Sequence, residues 1–450
     1  MEARPATAAS APDAWSGVAF FLLVGYCVMG RSFAYLGIPA WHVFIAELVL
    51  AAFLLAGPVT VMGPWIKLAR RIAPLKKIAQ VYFLLLLYGV FEVARGVTLG
   101  HPPLTSLRDL AFDYYPLFLL LGLWLGFSRP GFSRRCFRIL AWFNAIYGIC
   151  YILFLNRITW MFPGVSQRVT PVAIFGLPEF SFVILLGLLA LEPDLKAVWH
   201  LLAMNAFVLL GMQIRAEWFG FAVGLLVWGW LTKRLWRMAA GGAVIALLLA
   251  LMAVVNLKIP GPATRGSQEI SARDLIGRAV APIDPALAES YTSDYRVDIG
   301  TTVWRTVWWA AIWEAVNQSH KTALFGMGYG YSLGDLVPYL EGDFIQSPHN
   351  VFFYALGYTG WIGVTIFALF QTELVRLLWK CWRRTGRAVG IILWAAMIAF
   401  ALFTPFFEVP QGAIPFYIIT GFLIGSSMAT KRRKLLIAGP ISDLSTGGEG

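Results

Sequence analysis

Charged residues are scarce in this sequence, and so are cysteine and histidine. Asp, Glu, Lys and Arg make up only 13% of the 450 residues, and hydrophobic residues make up 59%. In a soluble domain about a quarter of the residues are charged. This deficit excludes an ordinary soluble enzyme. None of the 4 cysteines lies in residues 258–347 and no two form a CxxC pair, so neither a disulfide framework nor a zinc site is indicated.

Motifs for metal-dependent chemistry and for nucleic-acid binding are also missing. No two of the 5 histidines have the spacing of an HExxH motif, and no DxD sequence occurs. The net charge of +12 is spread over short loops, with no basic run interleaved with aromatics in a soluble domain. We therefore expect no metal, no cofactor and no nucleic-acid partner.

Long apolar stretches recur along the whole chain, and each is a candidate membrane helix. They predict an all-α polytopic membrane protein with about twelve transmembrane helices. The predicted spans are Trp15–Gly30, Ile38–Met62, Ile78–Ala94, Leu110–Phe127, Ile139–Leu155, Pro171–Leu191, Trp199–Met212, Glu217–Leu231, Met238–Val255, His349–Leu374, Ala388–Phe407 and Ala413–Met428.

The distribution of Lys and Arg predicts the orientation of these spans, because cytoplasmic loops are enriched in both residues. Loops after even-numbered spans are rich in basic residues, as in residues 67–77, 129–138, 380–387 and 431–434, and the opposite loops hold few. Both termini are therefore expected in the cytoplasm. The predicted organisation is spans one to nine in residues 1–257, a large outer loop in 258–348, the last three spans in 349–429 and a cytoplasmic tail in 430–450.

Two arginines on the outer side are candidate ligands for a phosphate, because a guanidinium can donate two parallel hydrogen bonds to it. Arg215 lies in the turn between two spans, flanked by Gln213 and Glu217. Arg305 begins the Trp-rich stretch "TTVWRTVWWAAIWEAV", which is predicted to form a helix at the membrane interface. The alternatives are an Arg215–Glu217 ion pair at the membrane rim and, for either arginine, contact with lipid headgroups.

The segments "FGMGYGYS" and "SPHN" contain the remaining candidates. The alternating glycines, which include Gly328, fit either a phosphate-binding loop or a tight bend, and the bend is preferred because no strand–turn–helix surrounds them. His349 stands where the outer loop meets a span and is a candidate general base. The alternative is a helix cap, a role that the adjacent Asn350 fits equally well.

The order of these features resembles the bacterial O-antigen ligase and polymerase family. His349 and Asn350 are followed by nine residues and then by Gly360-Trp361-Ile362-Gly363, which matches the His-Asn-x9-Gly-x-x-Gly motif of that family. Arg215 matches an arginine at an outer turn, although Ile214 stands where the family usually has Ser. Arg305 and the following "LFGMG" match a second arginine and its Gly-x-Gly turn.

The resemblance implies an inverting, metal-independent glycosyltransferase of the bacterial inner membrane, with the GT-C-type architecture of lipid-dependent enzymes and a periplasmic active site. Its donor would be a glycan on undecaprenyl diphosphate, held by Arg215 and Arg305. His349 would take the proton of the acceptor hydroxyl. Candidate supporting residues of the site as a whole are Asn350, Gln213, Glu217 and Gly328. Activity is then expected to fall as the pH drops below the pKa of His349, which is about 6.5 for an unperturbed imidazole.

The acceptor is open at this point. A ligase transfers the glycan to lipid A–core, which is the favoured prediction, whereas a polymerase transfers it to another lipid-linked O-antigen or exopolysaccharide repeat. A protein O-glycosyltransferase carries the same motif. A flippase for lipid-linked oligosaccharides would also have about twelve spans, but it would place charged residues near the bilayer midplane or show repeated, broken helices.

Overall fold

The computed structural model describes residues 11–38, 43–57, 73–160, 172–262, 269–281, 283–291, 295–337 and 347–437, and helices dominate this part of the chain. Its α-helices are α1 (Ala11–Met29), α2 (Arg31–Ala34), α3 (Ile45–Gly57), α4 (Ala73–Thr98), α5 (Pro103–Asp109), α6 (Ala111–Tyr114), α7 (Phe118–Ser128), α8 (Ser133–Leu153), α9 (Ser181–Leu191), α10 (Trp199–Gly211), α11 (Arg215–Thr232), α12 (Leu235–Val254), α13 (Ala272–Val280), α14 (Pro285–Glu289), α15 (Tyr295–Asn317), α16 (His320–Phe325), α17 (Val351–Thr385), α18 (Val389–Ala401) and α19 (Pro410–Ile437).

Strands are confined to three antiparallel pairs of two residues each in the described residues. They pair β1 (Gly37–Ile38) with β2 (Val43–Phe44), β3 (Thr159–Trp160) with β4 (Val172–Ala173), and β5 (Ile259–Pro260) with β6 (Glu269–Ile270). Single turns of 3₁₀-helix occur at Tyr115–Leu117, Leu155–Arg157, Lys196–Val198 and Leu333–Leu336. The fold is therefore built from packed helices, and the short strand pairs only tie loops together.

Helices long and apolar enough to cross a membrane confirm a polytopic membrane protein. Five such helices occur in the described residues: Leu75–Thr98, Pro103–Ser128, Ser133–Leu153, Val351–Thr385 and Pro410–Ala429. Six shorter apolar helices accompany them. Every predicted span overlaps a helix, but how many of the twelve cross the bilayer stays a prediction.

Two predicted spans were too long at their N-terminal ends. Residues 43–44 of the second span lie in a strand, and its helix begins only at Ile45. Residues 172–173 of the sixth span also lie in a strand, and α9 begins at Ser181, after Pro178. Hydropathy alone merged these loops with their helices, although proline disfavours a helical conformation in the residue before it.

Helices α4 and α17 run antiparallel and define two ends of the molecule. At one end the Lys77 ammonium lies 3.2 Å from the Glu373 carboxylate. Towards the other end the Tyr88 hydroxyl donates to the Thr359 carbonyl over 2.8 Å. The last turn of α17 carries Arg383 and Arg384, whereas His349 precedes its first turn. We call the end with Arg383 and Arg384 the basic end and the end with His349 the site end.

Close packing of α7 against α19 forms much of the core. The two helices run parallel, because Leu119 approaches Gly421 and Leu123 approaches Gly425 one turn later. A Cβ atom on Gly421 would overlap the Leu119 carbonyl. Small residues of this kind let membrane helices approach each other closely. This contact fixes α19, whose first turn lies at the site end.

Candidate active site

The Trp-rich helix α15 is held against the start of α17 by its indole rings. The Trp308 indole is fully buried and its Nε1–H donates to the Leu333 carbonyl over 2.7 Å. The Trp309 Nε1–H donates to the Pro348 carbonyl over 2.8 Å, and its ring stacks on Phe353 at 5.4 Å between centroids. The predicted helix is confirmed, and its position places Arg305 beside the segment that contains His349.

His349 has a backbone conformation that L-residues seldom adopt. Its φ angle is +56°, in the left-handed region. The imidazole Nδ1 lies 2.9 Å from the Ser347 carbonyl oxygen. Because a carbonyl only accepts hydrogen bonds, Nδ1 carries the proton in this contact and Nε2 holds a free lone pair. The ring is therefore in the tautomer that a general base requires at Nε2.

Asn350 fulfils the capping role that the sequence left open between two residues. Its side-chain oxygen accepts the backbone N–H groups of Phe352 over 2.8 Å and of Phe353 over 3.2 Å. Its amide nitrogen donates to the Leu402 carbonyl over 2.9 Å, which ties α17 to the end of α18. The helix cap is thus Asn350, and the His349 imidazole is left for another task.

Arg305 and His349 lie on the same indole ring. The edge-to-face distance between the Trp304 and His349 rings is 5.3 Å, and the Arg305 guanidinium carbon lies 5.4 Å from the Trp304 ring centre. Burial, followed by the charge of Arg305, lowers the pKa of His349 to about 4, against a smaller opposing effect of the Ser347 carbonyl. The pKa of His349 therefore lies below the value of about 6.5 for an unperturbed imidazole, and the ring is neutral at neutral pH.

Sequence inspection did not single out Glu408, which belongs to the same hydrogen-bonded cluster. The Ser347 hydroxyl donates to Glu408 Oε1 over 2.5 Å, and the Phe406 N–H donates to Oε2 over 3.1 Å. Burial raises the pKa of this carboxyl to about 7, although hydrogen bonds, first among them that from Ser347, oppose the rise. The available signal was a lone acid between two apolar spans, in "TPFFEVP".

Arg215 is the first residue of α11, and the start of this helix packs against the site end. One turn along the same face of α11, the Phe219 ring meets Phe403 at 5.3 Å. Phe403 follows Leu402, whose carbonyl accepts from the Asn350 side chain. Arg215 therefore starts a helix that packs beside the His349 segment.

The two predicted neighbours of Arg215 have separate structural settings. Gln213 has a φ angle of +55° and its side-chain amide donates to the Glu269 carbonyl over 3.2 Å, which ties the turn to the large loop. Glu217 is fully buried in the first turn of α11. Both residues shape the turn that presents Arg215.

The glycine-rich turn is a tight bend, as preferred from the sequence. Gly326, Gly328 and Gly330 all have positive φ angles. Their backbone N–H groups donate to the Thr322 carbonyl over 2.7 Å, the Tyr358 carbonyl over 2.9 Å and the Asp109 carboxylate over 2.8 Å, in that order. With these amides engaged inside the protein, Gly328 shapes the chain at this turn, and a supporting role in the site stays a prediction.

Residues 200–368 match the family model described as O-antigen ligase. This match bears out, over the matched segment, the resemblance seen in the sequence. No curated protein matches the chain. The matched segment contains Arg215, Arg305, His349 and both glycine motifs, and it indicates O-antigen ligase or polymerase-type activity. Glu408 lies outside it.

The second glycine motif, Gly360-Trp361-Ile362-Gly363, has a structural explanation. Gly360 breaks the regular geometry of α17 with a φ angle of +61°, and its backbone lies against that of Leu324 and Gly326. The Arg95 guanidinium donates to the carbonyls of Phe325, Gly326 (3.1 Å) and Tyr358 (3.5 Å). Arg95, which the sequence analysis did not single out, thus clamps the two glycine segments together.

Proposed function

We propose that this protein is an O-antigen ligase: a membrane glycosyltransferase that moves a glycan from undecaprenyl diphosphate to a hydroxyl of lipid A–core. The observation that carries the proposal is the pairing of His349 and Arg305 on Trp304. A neutral imidazole with a free Nε2 suits proton abstraction, and the guanidinium suits a phosphate. The family match supports the same chemistry.

The reaction follows from these two groups. Arg305, helped by Arg215, binds the diphosphate and stabilises the charge that grows on it as it leaves. His349 Nε2 takes the proton of the acceptor hydroxyl while its oxygen attacks the anomeric carbon. The bond from that carbon to the diphosphate oxygen breaks, and its electron pair leaves with undecaprenyl diphosphate. A single displacement of this kind inverts the anomeric configuration and needs no sugar bound covalently to the protein.

Binding of the glycan donor also strengthens the base. The positive charge of Arg305 lowers the pKa of His349 in the free protein. A diphosphate bound to that guanidinium brings negative charge close to the imidazole, which favours the protonated form and raises its pKa. Proton abstraction is therefore favoured only when the leaving group is in place.

The proposed location is the bacterial inner membrane, with both termini in the cytoplasm and the site end facing the periplasm. The positive-inside rule supports this orientation, because Arg383 and Arg384 lie at the end of α17 opposite His349. Periplasmic exposure of the site end would bring the flipped, lipid-linked glycan and lipid A–core to the same surface. The Trp-rich helix α15 and the spans beneath it would hold the polyprenyl chain.

Reconstitution with defined lipids tests the function. Purified protein in liposomes receives an undecaprenyl-diphosphate-linked O-antigen glycan together with lipid A–core, with a chelator present in half of the samples. We expect glycosylated lipid A–core of inverted anomeric configuration in both halves. Longer lipid-linked glycans would instead establish a polymerase. Movement of the donor between leaflets without any new glycosidic bond would contradict a glycosyltransferase and favour a flippase.

A further inference from the structure

Glu408 lies in the short connection between α18 and α19 and has no place in the chemistry described above. Its carboxyl is half-buried beneath the segment that contains His349, 2.5 Å from the Ser347 hydroxyl oxygen. The backbone N–H of Phe406 donates to its second oxygen over 3.1 Å. Hydrogen bonds to both of its oxygens hold this carboxyl in place, and it can therefore anchor the Ser347 side chain.

Ser347 links this anchor to His349 through two different atoms. Its hydroxyl oxygen accepts the backbone N–H of His349 over 3.2 Å. Its carbonyl oxygen accepts the imidazole Nδ1–H over 2.9 Å. One residue thus holds both the main chain and the ring of His349. Such anchoring is needed because the positive φ angle of His349 is unfavourable and persists only where its surroundings impose it.

We propose that Glu408 is a positioning residue for the glycosyl transfer: it fixes Ser347, and Ser347 presents Nε2 of His349 to the acceptor. This proposal rests on the proposed function. The tautomer that Ser347 selects is a property of the protein alone, however, and is measurable without any substrate.

The geometry distinguishes positioning from proton relay. The atom that contacts the imidazole is the Ser347 carbonyl oxygen, whereas the atom that contacts Glu408 is the Ser347 hydroxyl. A carbonyl oxygen has no proton to pass on, so no continuous chain of proton donors and acceptors leads from the ring to the carboxylate. Glu408 therefore acts through hydrogen bonding, and its charge is dispensable.

Substitution by glutamine separates these two roles. In Glu408→Gln the side-chain oxygen can accept the Phe406 N–H while the amide nitrogen donates to the Ser347 hydroxyl oxygen. We expect this variant to keep kcat within about 3-fold of the wild type. Glu408→Ala and Ser347→Ala should each lower kcat by about 10- to 100-fold with little change in KM, because misorientation of a reacting group by about 1 Å has effects of this size.

A double variant tests whether the two residues act as one unit. Because each single change disconnects the same link, Ser347→Ala combined with Glu408→Ala should lower kcat no further than the more damaging single variant. Exposed Glu289→Ala and Ser290→Ala, in the large loop, serve as matched controls and should keep wild-type kcat. The proposal would be overturned if the fall in kcat of the double variant equalled the product of the two single falls. It would also be overturned if Glu408→Gln were as inactive as Glu408→Ala.

Nitrogen-15 NMR of histidine-labelled protein gives a readout that does not depend on catalysis. His349→Asn identifies the resonances of His349. We expect a neutral Nδ1–H tautomer in the wild type and in Glu408→Gln, and a mixture of tautomers in Glu408→Ala and Ser347→Ala. An unchanged tautomer in both Ala variants would overturn the proposal. If the wild type transferred no glycan, the proposed function would fail while this test of positioning still gave its answer.

Discussion

The rate of glycan transfer should be almost independent of pH between 7.5 and 5.5. His349 has a pKa of about 4 in the free protein. Since the neutral form is the active base, activity is lost only as the pH falls through that value. At pH 5.5 an imidazole with that pKa is about 97% neutral, whereas one with the ordinary pKa of 6.5 is about 9% neutral. Over this range kcat/KM should therefore change by less than about 1.2-fold, against about 10-fold for an unperturbed histidine.

Initial rates in detergent, with lipid-linked glycan varied at each pH, give kcat/KM and kcat separately. The pH dependence of kcat/KM reports the pKa values of groups in the free enzyme, and that of kcat reports those in the substrate complex. Because bound diphosphate offsets the charge of Arg305, the apparent pKa in kcat should lie above that in kcat/KM. Glu408→Gln removes a carboxyl whose pKa of about 7 lies within the range, and it should leave both profiles unchanged. A 10-fold fall of kcat/KM centred near pH 6.5 would refute a pKa of His349 lowered by burial and by the charge of Arg305.

Three further outcomes are expected. Arg305→Ala and Arg215→Ala should each lower kcat/KM about 100-fold, and the Lys variants should lower it less, because lysine loses the bidentate hydrogen bonds but keeps a positive charge. Exposed Arg273→Ala is the control, and wild-type rates in both Ala variants would favour contact with lipid headgroups. Ser290→Cys should react with an impermeant thiol reagent once the outer membrane is permeabilised; reaction only after inner-membrane lysis would reverse the topology. Asn350→Ala should lower the free energy of unfolding by about 1 kcal/mol, measured by thermal unfolding, and Asn350→Ser should lower it by less. An unchanged melting temperature in Asn350→Ala would contradict the capping role of Asn350.

Hydropathy predicted most of the helices, and local motifs predicted two candidate residues, Arg305 and His349, that the structure brings together. Apolar runs are a property of consecutive residues, so each of the twelve predicted spans overlaps a helix. The predicted starts of two spans were wrong where proline or strand pairing interrupts an apolar run, as at residues 172–173. The motif around His349 and Asn350 lies within one short segment, and the cap was foreseen because it depends on neighbours in sequence.

What the sequence did not predict depends on contacts between distant segments. The Ser347–Glu408 hydrogen bond joins residues 61 positions apart, and the Arg95 clamp on Gly326 joins residues 231 positions apart. The lowered pKa of His349 comes from burial and from Arg305, on a separate helix. None of these has a periodic or local signature, so tertiary structure was required to find them.

Replacement of His349 by asparagine tests the general base most directly. Asparagine keeps a polar side chain of moderate size and tolerates a positive φ angle, but it cannot take up a proton at neutral pH. The measurement is single-turnover transfer from lipid-linked glycan to lipid A–core by purified protein, with the exposed His320→Asn variant as control and with binding of the glycan donor measured separately. We predict a rate lower by about 10²- to 10⁴-fold with unchanged donor affinity. A His349→Asn variant that retained more than about a tenth of the wild-type rate would contradict proton transfer by His349.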